Sequence, residues 1–244
     1  MCSSKTRDID MFISVVIPAH NEERYLAECL RALQRQTYPR SRFELIVVDN
    51  ASTDATPEIA RRYGALVVSE PVLNIGRARQ RGARAARGEI IASTDADTVV
   101  PPDWLERIAL SFERDDGLGA VFGPFRYRDG TAFEQVFLWY LSVGLMAILH
   151  ALGISCFSGT NYAVRREALW RVDVSSEPLP AGEDVDLSLR LGKVSKIAFD
   201  SRLVVSTSAR RRGEGYGRIL WRTARSGLRM LMFGQPPHPL PVIR

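Results

Sequence analysis

The chain has 244 residues, 45% hydrophobic and 25% charged, with 33 Lys and Arg against 28 Asp and Glu and a formal net charge of +5. This composition suits one globular domain, or one domain with a small appendage, and excludes a disordered chain or a repeat architecture. The arginines concentrate in Arg77–Arg87 and Arg202–Arg229, which favours phosphate-bearing ligands or an anionic membrane surface over duplex nucleic acid, and Cys2, Cys29 and Cys156 lack metal-ligand spacing, which excludes a disulfide framework or zinc site and fits a reducing, cytosolic setting.

The N-terminal run "MFISVVIPA" is too short for a signal peptide and flows into the polar "HNEE", so it reads as a first strand. "ISVVIPAHNEERYLAECLRALQRQ" then predicts a strand, a proline turn and a helix with Leu26, Leu30 and Leu33 on one face. "FELIVVDNASTDAT" is a second apolar strand ending in Asp49, and "PEIARRYGALVVSE" supplies a helix, a glycine stop and a third strand. "NIGRARQRGARAARGEIIASTDAD" repeats the unit, and its strand ends in Asp95 and Asp97. Alternation at this spacing implies βαβ units and a parallel sheet, in which ligands bind beyond the carboxyl ends of the strands. Three strands thus deliver polar residues to one rim: Pro18, Ala19, His20, Asn21 and Glu22; Asp49 and Asn50; Asp95 and Asp97. The glycine fingerprint of dinucleotide folds and the Walker loop are both missing there.

Two carboxylates one residue apart at a strand end have two explanations. Asp caps turns and helix starts. Alternatively, mutual repulsion is relieved by a divalent cation, Mg²⁺ or Mn²⁺, held against a diphosphate.

Beyond the pair, "WLERIALSF" predicts a helix and "GAVFGPFRYR" a strand. Phe137 to Val164 carries no charge, and "FLWYLSVGLMAILHALGIS" is long enough to span a bilayer. A span would put about 30 Å of hydrocarbon between the acidic pair and all that follows, so a buried or interfacial helix, broken at Gly153, is the preferred reading. "FSGTNYAVRREAL" gives a strand and a helix. In "LPAGEDVDLSLRLGK" Glu183 and Asp184 open a helix with Leu187 and Leu191 facing inward; acidic residues there suit the helix dipole or a catalytic base. In "GYGRILWRTARSGLRMLMFG", Arg218, Arg222, Arg225 and Arg229 share a helical stripe, the pattern of a basic amphipathic helix that rests on anionic membrane, and "QPPHPLPVIR" is an irregular tail.

"VVIPAHNEE", "ELIVVDNASTDAT", "NIGRARQRGARAARGEIIASTDADT" and "GEDVDLSLRL", in this order, resemble the four signature regions of family 2 glycosyltransferases. The resemblance covers roughly residues 13 to 210. It implies an inverting enzyme of the GT-A fold: a Rossmann-like α/β three-layer sandwich with a mostly parallel central sheet, here followed by a C-terminal amphipathic helix. Residues 13–100 would form the nucleotide-sugar half and 101–210 the acceptor and catalytic half, with 211–244 as the basic helix and tail. By the same resemblance Pro18, Ala19 and Glu22 line the nucleoside, Asp49 faces the base, commonly uracil, and Arg79 lies near the diphosphate. Asp97 is the more direct ligand of a divalent metal, with Asp95 sharing the metal and nearer the ribose and sugar. Asp184 matches the catalytic base, Glu183 contacts acceptor or sugar, and Gly159, Thr160 and Asn161 match the acceptor-side loop. The implied partners are a nucleotide diphosphate sugar, UDP by preference, and a hydroxyl acceptor, lipid-linked or at the inner face of the cell membrane, in cell-envelope polysaccharide or glycolipid synthesis; no nucleic acid is implied.

The chain departs from the family pattern at three points. Asn50 stands where many relatives carry a second Asp, and the Gln-x-x-Arg-Trp motif of processive members is missing. Where relatives place a His after the catalytic acid, the nearest candidates are Ser206, Thr207, Ser208 and Arg210 to Arg212. A sugar nucleotidyltransferase would share the α/β sheet and metal but needs a Gly-rich nucleotide loop. A non-catalytic sugar-nucleotide module would not need Asp184, Asp95 and Asp97 together.

Overall fold

A computed structural model describes residues 10–128, 132–172 and 182–208. Runs rich in Val, Ile and Leu build the centre of a sheet: β1 (Ile13–Ala19), β2 (Phe43–Asp49), β3 (Leu66–Ser69) and β4 (Ile90–Ser93). Their crossover helices are α1 (Leu26–Gln34), α2 (Thr56–Arg62) and α3 (Ile75–Ala85). The chain continues through β5 (Thr98–Val99), α4 (Trp104–Arg114), β6 (Leu118–Phe122), β7 (Phe125–Tyr127) and α5 (Ala132–Ala151). It then forms β8 (Tyr162–Arg165), α6 (Arg166–Arg171), α7 (Glu183–Leu191), β9 (Lys196–Phe199) and β10 (Val205–Thr207).

The seven-stranded sheet has the order β3-β2-β1-β4-β8-β6-β9, and β5-β10-β7 form a smaller one. In the large sheet β8 runs antiparallel to both neighbours, β4 and β6, whereas the remaining pairs are parallel. Strands from both halves of the chain therefore share one sheet. Because β1 and β2 are covered on both faces, nearly every residue in them is buried. Ile13, Val15 and Ile17 pack with Leu26, Leu30 and Leu33 of α1 and Trp104, Leu105 and Ile108 of α4. Val16, Ile46, Val48 and Ile91 point the other way, onto Ala78 and Ala83 of α3, Leu169 of α6 and Leu191 of α7. The result is the expected three-layer α/β sandwich.

One buried polar pin fixes the register of β1 against β2. Ser14 and Glu44 are directly paired; Ser14 Oγ donates to Glu44 Oε1 at 2.7 Å, and Arg87 donates to Glu44 from its backbone N–H and from Nε. Burial pushes the Glu44 carboxyl up, but these donors outweigh it and hold its pKa below the ordinary value.

The single strand expected over "GAVFGPFRYR" is two, in different sheets. Pro124 has no N–H for a ladder, and a Cβ on Gly123 would lie 2.0 Å from the Leu203 carbonyl oxygen, so the chain turns out of the large sheet there. The first part of the uncharged stretch lies in one helix, α5, which ends before Gly153 at φ +81°, and its last residues enter β8. No helix among the described residues is long and apolar enough to cross a membrane. Instead α5 packs against β7 and β9 and exposes Val136, Tyr140, Leu141, Leu145 and Ile148, with Leu152 exposed just past its end. The arginine stripe from Arg218 to Arg229, the run Arg210 to Arg212 and the tail lie outside the described residues.

The approach of α3 to the sheet depends on Gly82. A Cβ there would meet Val16 Cγ1 at 2.3 Å and Val48 Cγ2 at 2.9 Å, and β-branched neighbours have little rotamer freedom with which to yield. Gly82→Ala should therefore destabilise the fold by about 1–3 kcal/mol through overpacking, despite the better helix propensity of alanine. Chemical denaturation checks this; an unchanged midpoint would mean that α3 has slack.

Candidate active site at the strand ends

β1, β2 and β4 end on the same rim because they are parallel. β8 runs the other way, so its beginning reaches that rim and brings Ser158–Asn161 with it. α7 starts at the same place, after Gly182, whose φ of +72° suits glycine.

The centre of the rim is Arg79, from α3. Its Nη2 pairs with Asp95 Oδ1 at 2.6 Å and its Nη1 with Glu183 Oε1. The second Asp95 oxygen accepts from Thr160 Oγ1 at 2.8 Å. Asp184 Oδ2 accepts from the Gly159 N–H at 2.7 Å, and its Oδ1 from the Val185 N–H at 2.9 Å. Gly159 is indispensable to this packing: a Cβ would lie 2.1 to 2.3 Å from the Arg79 guanidinium. Thus Arg79, Asp95, Gly159, Thr160, Glu183 and Asp184, spread over more than a hundred residues, form one contact network.

Burial opposes the charge on Arg79, but Asp95 and Glu183 outweigh it and raise its pKa further. Burial, opposed by Arg79 and helped by Asp184, pushes the Glu183 carboxyl up to about 7. Tyr162, buried beside this network, is also raised, by burial first.

Asp97 sits next to this network, also buried, with Oδ1 accepting from Thr207 Oγ1 at 3.1 Å. At the β1 and β2 ends Ala19 pairs with Asp49, and Pro18 with Val48. Asp49 Oδ1 accepts from the Ser52 N–H at 3.1 Å, so one of its oxygens shapes the turn, as a capping role requires. Glu22 is buried; its N–H donates to Thr56 Oγ1 and its carbonyl starts α1 by accepting from Tyr25 and Leu26.

Two residues have roles that their types alone did not disclose. Asn50 donates from Nδ2 to the Glu70 and Val72 carbonyls and accepts at Oδ1 from the Asn74 N–H. An Asp has no N–H for those carbonyls, which explains the departure from the family pattern. Asn161 was expected at the acceptor; it is instead fully buried, with Oδ1 taken by Trp104 Nε1 and Nδ2 by the Pro124 and Leu203 carbonyls. Both ends of its amide are committed to the scaffold.

The model for "Glycosyl transferase family 2" matches residues 14–173, which takes in three of the four signature regions. The chain belongs to glycosyl transferase family 2. It is 33% identical over 189 residues to glycosyltransferase AglE of Haloferax volcanii, covering 73% of this chain and 60% of AglE. It is 29% identical over 196 residues to the beta-monoglucosyldiacylglycerol synthase of Synechocystis, covering 73% of this chain and 40% of that one. The chain thus spans about half the length of these relatives. Among solved structures, the mannosyltransferase PcManGT of Pyrobaculum calidifontis, in complex with GDP-Man and Mn²⁺, superposes with a TM-score of 0.68 at 27% identity, over 88% of this chain and 61% of that one. The fold is GT-A, as the resemblance implied.

A divalent cation would be held at the rim of this family 2 enzyme by the carboxylates of Asp95 and Asp97, of which Asp95 is also engaged by Arg79 and Thr160 and Asp97 by Thr207. On either side of the pair the buried hydroxyls of Thr94 and Thr98 lack a hydrogen-bond partner among the described residues, so the local donor set is hard oxygen, which suits Mg²⁺ or Mn²⁺. Among the described residues no group of three His, Cys, Asp or Glu is poised to hold a metal. Sequence reasoning missed Arg128, which donates from Nη2 to the Asp97 carbonyl at 3.1 Å, and Ser93 and Tyr162 beneath Gly159; no local pattern marks them.

Glu183 supplies a pH test. A carboxyl raised from 4.5 to about 7 binds more protons folded than unfolded in that window, so stability should fall as pH rises through it. Glu183→Gln should flatten that fall in urea midpoints measured from pH 4 to 8. An identical slope in the variant would assign the proton elsewhere.

Proposed function

We propose that this chain is an inverting glycosyltransferase that moves a sugar from a nucleoside diphosphate donor, UDP being the expected nucleotide, to a hydroxyl of a cell-envelope glycan or glycolipid. The observation that carries this reading is the Arg79 bridge. One guanidinium ties Asp95, of the acidic pair, to Glu183, whose neighbour is Asp184.

Asp184 takes the proton of the acceptor hydroxyl as that oxygen attacks the anomeric carbon from the face opposite the leaving group. Its two oxygens are oriented by backbone N–H groups of Gly159 and Val185. Bond formation and departure of the nucleoside diphosphate occur in one displacement, so configuration inverts and no covalent nucleophile is needed. Arg79, paired with Asp95 and Glu183 at the rim, would help to compensate charge that develops on the diphosphate. A divalent cation at Asp95 and Asp97 would add Lewis-acid neutralisation of the same charge. Asp184→Asn should lower turnover by about 10² or more with donor affinity nearly unchanged, measured by nucleoside diphosphate release and by donor titration. Retained turnover would leave Asp184 with only a helix-start role, and pyrophosphate release in place of nucleoside diphosphate would mark a nucleotidyltransferase.

In this reading the acceptor lies at the cytoplasmic face of a membrane; the apolar exposure of α5 and the residue just after it, with Tyr140 71% and Leu152 70% exposed, supports the membrane contact. α5 leads into the acceptor-side loop, and His150 Nδ1 meets Ser155 Oγ at 3.0 Å. The Synechocystis relative is named for a diacylglycerol glycolipid, and the arginine-rich sequence after Ser208 supplies a second, electrostatic signal of the kind stable anchoring needs. Replacing Tyr140, Leu145 and Ile148 by Ser should weaken binding to anionic vesicles several-fold while leaving nucleotide affinity unchanged. A parent chain that ignores anionic vesicles at low salt removes the membrane from this reading.

A further inference from the structure

Gly159 is held from three sides at the point where its loop meets Asp184. Its N–H donates to Asp184 Oδ2 at 2.7 Å, its α-carbon lies so close to the Arg79 guanidinium that no Cβ fits between, and its carbonyl accepts from Ser93 Oγ at 3.3 Å. Two of these contacts are to residues already placed in the site. The third comes from the last residue of β4, whose side chain is buried beneath the loop.

The Ser93 hydroxyl has a defined direction. Strand register sets Ser93 opposite Tyr162 across the antiparallel β4 and β8 pair, so both side chains stand on one face of the sheet and border the cavity that Arg79, Glu183 and Asp184 also line. Burial and the Arg79 charge act most on the Tyr162 phenol, and a hydrogen bond with Ser93 acts next. A carbonyl oxygen can only accept, so the single proton of Ser93 goes to Gly159 and the phenol is the donor in its contact with Ser93. Tyr162 is itself stacked on Phe157, with ring centroids 5.1 Å apart. β4, moreover, is paired on both sides, with β1 and with β8. Ser93 is thus a rigid reference point. Glycine has the freest backbone of any residue, so an N–H that is to orient a carboxylate from a glycine needs an outside restraint.

We propose that Ser93 is a positioning residue for the base Asp184, acting through Gly159: by holding the glycine carbonyl it fixes the N–H that orients the carboxylate toward the acceptor oxygen. This rests on the reading of Asp184 as the base. The alternative is that Ser93 only completes the end of β4.

The two are separated by steady-state hydrolysis of UDP-Glc, UDP-GlcNAc or GDP-Man, with water as the acceptor hydroxyl and nucleoside diphosphate release as the readout. Urea midpoints are measured alongside. Where chemistry is slower than donor dissociation, KM reads donor affinity. The bond to the carbonyl is long, so Ser93→Ala should lower kcat about fivefold, short of the loss expected without the base, and leave donor KM unchanged. Ser93→Thr keeps the hydroxyl and has the cavity for its extra methyl; it should recover most of kcat. Ser93→Cys, a weak donor of similar shape, should behave like Ser93→Ala. In an Asp184→Asn background Ser93→Ala should add nothing. The proposal is overturned if Ser93→Ala moves only the urea midpoint, if donor KM rises in step with the fall in kcat, or if the full loss persists in the Asp184→Asn background. If Asp184→Asn loses turnover while Ser93→Ala does not, this proposal alone fails. Retained turnover in Asp184→Asn overturns the base reading and this proposal together.

Discussion

A guanidinium buried between two carboxylates is the constraint on which the rest of the site depends. Removing Arg79 from water is costly, and the cost is offset only because Asp95 and Glu183 are both in contact with it. Even so its Nε remains without a partner among the described residues. The pairing can form only if α3 lies deep against the sheet, which Gly82 permits, and if the loop before β8 passes flat across the guanidinium, which Gly159 permits. Losing either carboxylate would leave a buried charge poorly compensated, so the two halves of the chain are joined by electrostatics as well as by the sheet.

The reversed strand β8 is the second determinant. In a wholly parallel sheet the start of each strand lies at the far edge from the rim. Because β8 runs antiparallel between β4 and β6, its preceding loop meets Asp95 and Asp184 at the carboxyl ends of the other strands. Asn161 locks that reversal by tying the start of β8 to Trp104, Pro124 and Leu203. The loop that handles Asp95 is therefore held by a fully buried amide rather than left to move.

The field at the rim is negative. Burial raises the Cys29 thiol, and Asp97, Asp95 and Glu22 raise it further; burial and then Asp184 do the same to Cys156. Both thiols are kept neutral and therefore weak nucleophiles. The same surroundings disfavour further anions and favour a cation, so a diphosphate would be accepted here together with a metal more readily than alone. The exposed side of α5 has a different character: it offers apolar surface rather than charge.

The strand runs, the Leu26, Leu30 and Leu33 face and the acidic strand ends were legible because their signals are local: side-chain period, turn residues and charge at the end of an apolar run. The family followed from four such segments in order. Other features had no local sign. β5 and β10 are two and three residues long and exist because they pair with each other across more than a hundred positions. Asn50 and Asn161 carry amides whose purpose is visible only once the carbonyls they serve have been brought near. Which oxygens of Asp95 are occupied, and that Thr207 rather than its neighbours meets Asp97, depend in the same way on strand reversal and register. The sequence by itself determined which residue types stand at each strand end, because burial pattern and turn chemistry act over a few residues. Tertiary structure alone decided which of them touch, because a hydrogen bond or ion pair is set by distances of about 3 Å between atoms that the chain separates by scores of residues.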